Sequence, residues 1–203
     1  MASRYRNRSA HVPIRTKHHR ERSLMVLASE PGRAPDDATG PGFTAPVPPG
    51  GYRWWYVDAL SDDGLYGLTV IVFIGSVFSP YYAWAGRRDP ENHCTVNVSL
   101  YDLGGGGGDR WTMTERGRGA LMRRPDSLTI GPSRLTWRPG GLTLSLDERC
   151  APLPRRVRGA VALSFGPVFD TVYPLDRAER HHWRPIAPLA RAEVRMDCPA
   201  LRW

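Results

Sequence analysis

From residue 52 onward, short apolar-rich runs alternate with clusters of turn-forming residues. Trp54-Trp55-Tyr56-Val57-Asp58-Ala59-Leu60 has the β-branched and aromatic composition of a strand. Ser61-Asp62-Asp63-Gly64 follows as a turn, since Asp and Gly tolerate positive φ. Residues 66–78 return as a second strand, so the two read as a long hairpin. Residues 68–74 are apolar at nearly every position, which predicts a strand covered on both faces. A helix is disfavoured there by the β-branching and by Gly75, Ser76 and Pro80.

Downstream, residues 94–101 alternate apolar and polar, the pattern of a half-buried strand. Further strands are predicted over 111–114, 127–130, 134–137, 142–147, 157–165 and 190–196. Turn signals at Gly131-Pro132, Pro139-Gly140-Gly141, Pro152 to Pro154 and Gly166-Pro167 separate the later ones. Helix is expected only as a turn or two over 175–180. Short strands at regular spacing predict an all-β, antiparallel sandwich or barrel.

Charge changes this picture little. The formal charge of +8 is concentrated at the N-terminus. Residues 1–33 hold eight cations against Glu21 and Glu30, a net of +6. The rest of the chain carries only +2, too little clustering for a nucleic-acid face. Residues 1–47 are expected to be a disordered basic leader followed by a Pro- and Gly-rich linker. A sharper reading of residues 1–33 is an electrostatic tether to anionic lipid. Residues 48–203 form the expected folded domain.

Cys94, Cys150 and Cys198 are odd in number and contain no CxxC, so a reducing, cytoplasmic setting is expected rather than a disulfide framework. The longest apolar run, 68–78, is about half the ~20 residues of a spanning helix. No apolar segment of signal-peptide type stands near the N-terminus. The glycines from Gly104 to Gly108 precede a strand rather than a Lys-Ser/Thr and a helix, so they read as a hairpin loop and not a phosphate cradle.

The blocks WWYVDALSDDG, FIGSVFSPYYAWA, NHCTVNVSLY and WTMTERGRGAL, colinear from about Pro48 to Trp203, resemble the bacterial carotenoid 1,2-hydratase (hydroxyneurosporene synthase) family. The resemblance implies a lipocalin-like antiparallel β architecture with two related β-domains, this chain covering the first. It implies hydration of the terminal C1,2 double bond of an acyclic carotenoid such as neurosporene or lycopene, in carotenoid biosynthesis of photosynthetic bacteria. No cofactor or metal is expected, and peripheral membrane contact is, because the substrate is lipid-soluble. Family members continue past a CPALRW-like segment into a Gly-rich stretch with a Tyr-x-Asp motif, the expected proton donor. This chain ends at Trp203, before that stretch, and reads as C-terminally truncated. The alternative function is an inactive β-domain that at most binds apolar polyenes.

Adding water across a trisubstituted alkene needs a buried acid, shielding of a tertiary cation and a held water. The resemblance places His181 and Trp183 at the family's His-x-Trp-Arg-Pro positions as catalytic candidates, and strand alternation would put both on one face. The bland alternative is a capping segment with a packed Trp. Trp54, Trp55, Phe78, Tyr81, Tyr82 and Trp84 are candidates for lining an apolar cleft, or else for core packing and a strand bend at Pro80. Asp58 is either a packed structural carboxylate or part of that lining. Asp62 and Asp63 read as solvated turn residues, Glu115 as an ion-pair partner of Arg116 or Arg118, and His93 as a satisfied polar residue without metal partners.

Overall fold

The computed structural model describes residues 40–203 and the strand Ser23–Ser29. The described residues form thirteen antiparallel strands. They are β1 (Ser23–Ser29), β2 (Arg53–Leu60), β3 (Tyr66–Ile74), β4 (Cys94–Asp102), β5 (Arg110–Arg116), β6 (Leu121–Arg124) and β7 (Ser127–Ile130). β8 (Ser133–Arg138), β9 (Gly141–Arg149), β10 (Arg156–Phe165), β11 (Tyr173–Pro174), β12 (His182–Cys198) and β13 (Ala200–Arg202) complete the set. The pairing order is β5-β4-β3-β2-β1-β12-β10-β9-β8-β7-β6, with β11 and β13 flanking β12.

This continuous sheet folds over on itself. Strand β12 is the corner: its first half pairs with β1 and its second half with β10. The two wings then face each other, β4 approaching β7 and β5 approaching β9. One bridge, Thr112 to Cys150, ties β5 to the end of β9. Strands β5 and β6 sit at opposite ends of the pairing order, so the antiparallel architecture is a sandwich and not a closed barrel.

The interior is one cluster. Trp55, Val57, Leu68, Val70, Val72, Val96 and Val98 from one wing meet Leu128, Leu135, Leu144, Val161 and Val194 from the other. Alternation along β2 explains the split, because Arg53, Trp55, Val57 and Ala59 are buried while Trp54, Tyr56 and Asp58 stand half-buried on the opposite face.

Several expectations need correction. Ser23–Ser29 lies inside the stretch read as a structureless leader, yet it is a strand between β2 and β12. Its sequence, SLMVLAS, is an apolar run of strand length. The linker reading also fails from residue 40 onward, where Phe43 is fully buried against Trp55. The remainder of the expected leader, residues 1–22 and 30–39, lies outside the described residues.

The second strand of the core hairpin stops at Ile74 rather than Phe78. Gly75 turns the chain at φ 73, and a Cβ there would lie 2.6 Å from the Gly51 carbonyl oxygen. A short helix, α1 (Pro80–Trp84), stands where a strand bend at Pro80 is the expectation. Pro80 fits its first turn, and the Ser79 side chain accepts from the Tyr82 amide. Residues 175–180 form a turn and not a helix: the Asp176 carboxylate takes the amides of Arg180 and His181, and Glu179 has φ 50. Strand β12 is 17 residues long where only 190–196 were expected, and β6, β11 and β13 were not anticipated.

Candidate functional site

The register of the ladders decides which side chains share a face, because directly paired residues project to the same side of a sheet. Ala28 of β1 pairs with Trp183 of β12 on one side and with Trp54 of β2 on the other. Trp183 in turn pairs with Tyr173 of β11. Trp54 pairs with Phe73, Phe73 with Thr95, and Thr95 with Glu115. One row on the face opposite the core therefore reads Tyr173, Trp183, Trp54, Phe73, Thr95, Glu115, with the backbone of β1 between Trp183 and Trp54. Three inter-strand steps separate Trp183 from Phe73, about 14 Å.

The aromatic members touch their neighbours. Tyr173 and Trp183 have centroids 5.7 Å apart, and Trp54 stacks on Phe73 at 5.7 Å. Phe78, just past the end of β3, sets its ring perpendicular to Phe73 at 5.5 Å. The next row along β2 and β3 is Tyr56 and Ile71, and the one after is Asp58 and Thr69. Asp58 accepts from the Thr69 hydroxyl at 2.7 Å, so it is tied into this face as a hydrogen-bonded carboxylate. Burial, and the Asp58 charge after it, push the Tyr56 hydroxyl up from its ordinary pKa.

His181 stands one residue before β12 and two before Trp183. Tyr52 stands two before Trp54. Their side chains meet: the Tyr52 hydroxyl lies 2.9 Å from His181 Nδ1, and the rings stack at 5.8 Å. His181 thus sits at the rim of the face that carries Trp183 and Trp54. Two polar atoms of the row, Trp54 Nε1 and Thr95 Oγ1, are buried with no hydrogen-bond partner. They flank Phe73, and each is a group whose burial costs free energy until something bonds to it.

Other expected site residues lie elsewhere. Trp55, 1% exposed, faces the core, with Nε1 donating to the Pro41 carbonyl at 2.8 Å. Alternation forces this, since adjacent residues of one strand cannot share a face. Tyr82 is also buried, its hydroxyl donating to the Gly51 carbonyl at 2.7 Å and its ring lying against His93. It anchors α1 to the sheet. Tyr81 and Trp84 are exposed on the outside of that helix.

Glu115 pairs with neither neighbouring arginine. It accepts from Ser79 Oγ at 2.6 Å and lies 2.6 Å from His93 Nδ1. Arg116 instead reaches the buried Glu148, and Arg118 reaches Asp89 and Glu91. Alternation separates Glu115 from Arg116, and the bend at Gly117 carries Arg118 to the 90–92 turn. Asp62 and Asp63 are exposed turn residues; Asp63 accepts from Ser61 and from the Leu65 amide. Among the described residues, no group of three His, Cys, Asp or Glu side chains could hold a metal ion. Sequence reasoning passed over Phe73 and Tyr173 as site residues and gave Tyr52 no role beside His181. Only the register across β1 joins them.

The acyclic carotenoid 1,2-hydratase of Thiocapsa roseopersicina is 57% identical over 171 residues, which cover 83% of this chain and 42% of that protein. The corresponding protein of Rubrivivax gelatinosus is 55% identical over 168 residues, covering 80% of this chain and 41% of its own length. A hydroxyneurosporene dehydrogenase of Chlorobaculum tepidum is 28% identical over 176 residues, 75% of this chain and 44% of its own. This chain therefore spans about two fifths of the length of these relatives. No solved structure matches it. The family described as carotenoid hydratase CrtC matches residues 70–203, and with relatives this similar the chain belongs to the carotenoid hydratase family.

Proposed function

We propose that this chain forms the polyene-binding portion of a hydratase that adds water across the terminal C1,2 double bond of an acyclic carotenoid, neurosporene or lycopene. The observation that carries the reading is the register across β1, which sets Trp183 and Trp54 on one face with His181 at its rim. In the reaction a proton goes to C2, the tertiary cation forms at C1, and water adds there and loses its proton to give the 1-hydroxy product. The aromatic faces of Trp183, Trp54 and Phe73 suit the cation, each contributing about 0.5–2 kcal/mol. His181, held through Tyr52, suits the holding of water at the rim. Trp54 Nε1 and Thr95 Oγ1, buried and unbonded, suit a water or the product hydroxyl.

The acid is the part this face supplies least. Glu148, whose carboxyl is pushed up by burial, is committed to Arg116 and Ser133 within the fold. Asp58 is engaged by Thr69. The engagement of both carboxylates favours a second reading, in which this face binds polyenes without turning them over.

Expression of the 203-residue chain in lycopene-producing cells, beside the full-length Thiocapsa relative, tests both. A hydroxylated product from the chain supports the hydratase reading. Polyene that co-purifies without product supports the binding reading. Neither product nor bound polyene, with the relative active in the same cells, refutes both.

A further inference from the structure

Helix α1 presents an unusual surface. Phe78 is 64% exposed, Tyr81 62% and Trp84 77%, while Tyr82 between them is buried and pins the helix to the sheet. Tyr81 and Trp84 stack edge-to-face at 5.5 Å, making one protruding aromatic ridge. The ridge is held rigidly from beneath: Ser79 caps the helix and donates to Glu115, which His93 also engages. Exposed aromatics grouped this way mark an interaction surface rather than ordinary surface scatter.

The charge beside the ridge identifies the partner. Arg87 and Arg88 follow directly and are exposed. The acids of the same loop are already taken, Asp89 by Arg118 and Glu91 by Arg118 and Arg123. Neither Arg87 nor Arg88 has an acidic partner among the described residues. Tyr and Trp with an apolar Phe, next to two uncompensated cations, match the boundary between an anionic headgroup layer and the acyl chains.

We infer that the α1 ridge, Phe78, Tyr81 and Trp84 with Arg87 and Arg88, docks this protein onto an anionic lipid bilayer. Phe78 also packs on Phe73 of the aromatic row, so the docked edge leads directly to that face. Docking does not depend on the hydration chemistry, and loss of one reading leaves the other intact.

The test is sedimentation of the 203-residue chain with vesicles of pure phosphatidylglycerol and of pure phosphatidylcholine. Binding to the anionic vesicles is expected, with Arg87→Gln/Arg88→Gln weakening it by roughly 30-fold at low salt. Tyr81→Ser/Trp84→Ser should weaken it at least as much. Both variants change exposed side chains, and an unchanged circular dichroism spectrum verifies the fold. Brominated phosphatidylglycerol should quench wild type more than Trp84→Phe, which reports contact at the ridge itself. Wild-type binding by both double variants would place the contact elsewhere, on the basic N-terminal residues for instance, and overturn the inference. So would a ridge that drives dimerisation of this chain in solution without vesicle binding.

Discussion

Arg116→Met tests the idea that a buried ion pair holds the two wings of the sandwich together. Glu148 on β9 is 1% exposed. Its Oε2 accepts from Arg116 Nη2 at 2.7 Å, and its Oε1 accepts from Ser133 Oγ at 2.6 Å and Arg116 Nη1 at 3.2 Å. Arg116 reaches it from β5, crossing over Gly131, where a Cβ would lie 2.5 Å from Arg116 Nε. Removing the arginine leaves a carboxylate in the interior with only the neutral side chains of Ser133 and Thr114. Breaking a buried pair in this way costs about 3–5 kcal/mol. For a chain of this length that lowers Tm by roughly 6–20 °C.

The pH dependence has a definite sign. Burial pushes the Glu148 carboxyl up, outweighing its bonds to Arg116 and Ser133. A group raised by folding contributes stability that is complete below its unfolded pKa, roughly 4.3, and lost as pH rises through the folded value. Without Arg116 the folded value moves further up. The gap in Tm between wild type and Arg116→Met should therefore widen from about pH 5 to about pH 7.5. Adding Glu148→Gln to Arg116→Met should recover most of the loss, since the buried charge is gone. Thermal melts followed by near-ultraviolet circular dichroism measure all three proteins. An Arg116→Met protein melting within about 2 °C of wild type at neutral pH, or a gap that narrows as pH rises, would refute the argument.

Two further outcomes are expected. Tyr52→Phe removes the hydroxyl beside His181 Nδ1 but keeps the stacked ring, so stability should fall by only about 1 kcal/mol. On the proposed reading its effect on polyene affinity or turnover should be smaller than that of Trp183→Ala; a larger effect measured by spectroscopic titration would assign the hydroxyl a direct role. Cys94 is fully buried, and burial pushes its thiol up to about 12, so it should resist a thiol reagent in the native state while Cys150 and Cys198 react. Three rapidly reacting thiols in the folded protein would contradict this burial.

Local pattern determined much of this protein. Alternation over 94–101, the Asp-Gly turn at 63–64 and the spacing of Pro and Gly specified strands and turns, because those signals depend on residues a few positions apart. The same local physics separates Trp54 from Trp55, though the sequence leaves open which of the two enters the core. Only the tertiary structure decided that, and it set Trp183 in the same cross-strand row as Trp54, with β1 between them. Their shared row depends on β1 slotting between β2 and β12, which joins Trp54 to a residue about 130 positions further along the chain and which no periodicity encodes. Glu115 likewise finds His93 and Ser79 through the β4–β5 register, and Arg116 finds Glu148 because the sheet folds over at β12. Strand identity follows from short-range sterics and turn chemistry, whereas the face a side chain shares with distant residues follows from register, which is fixed only when the whole sheet closes on its core.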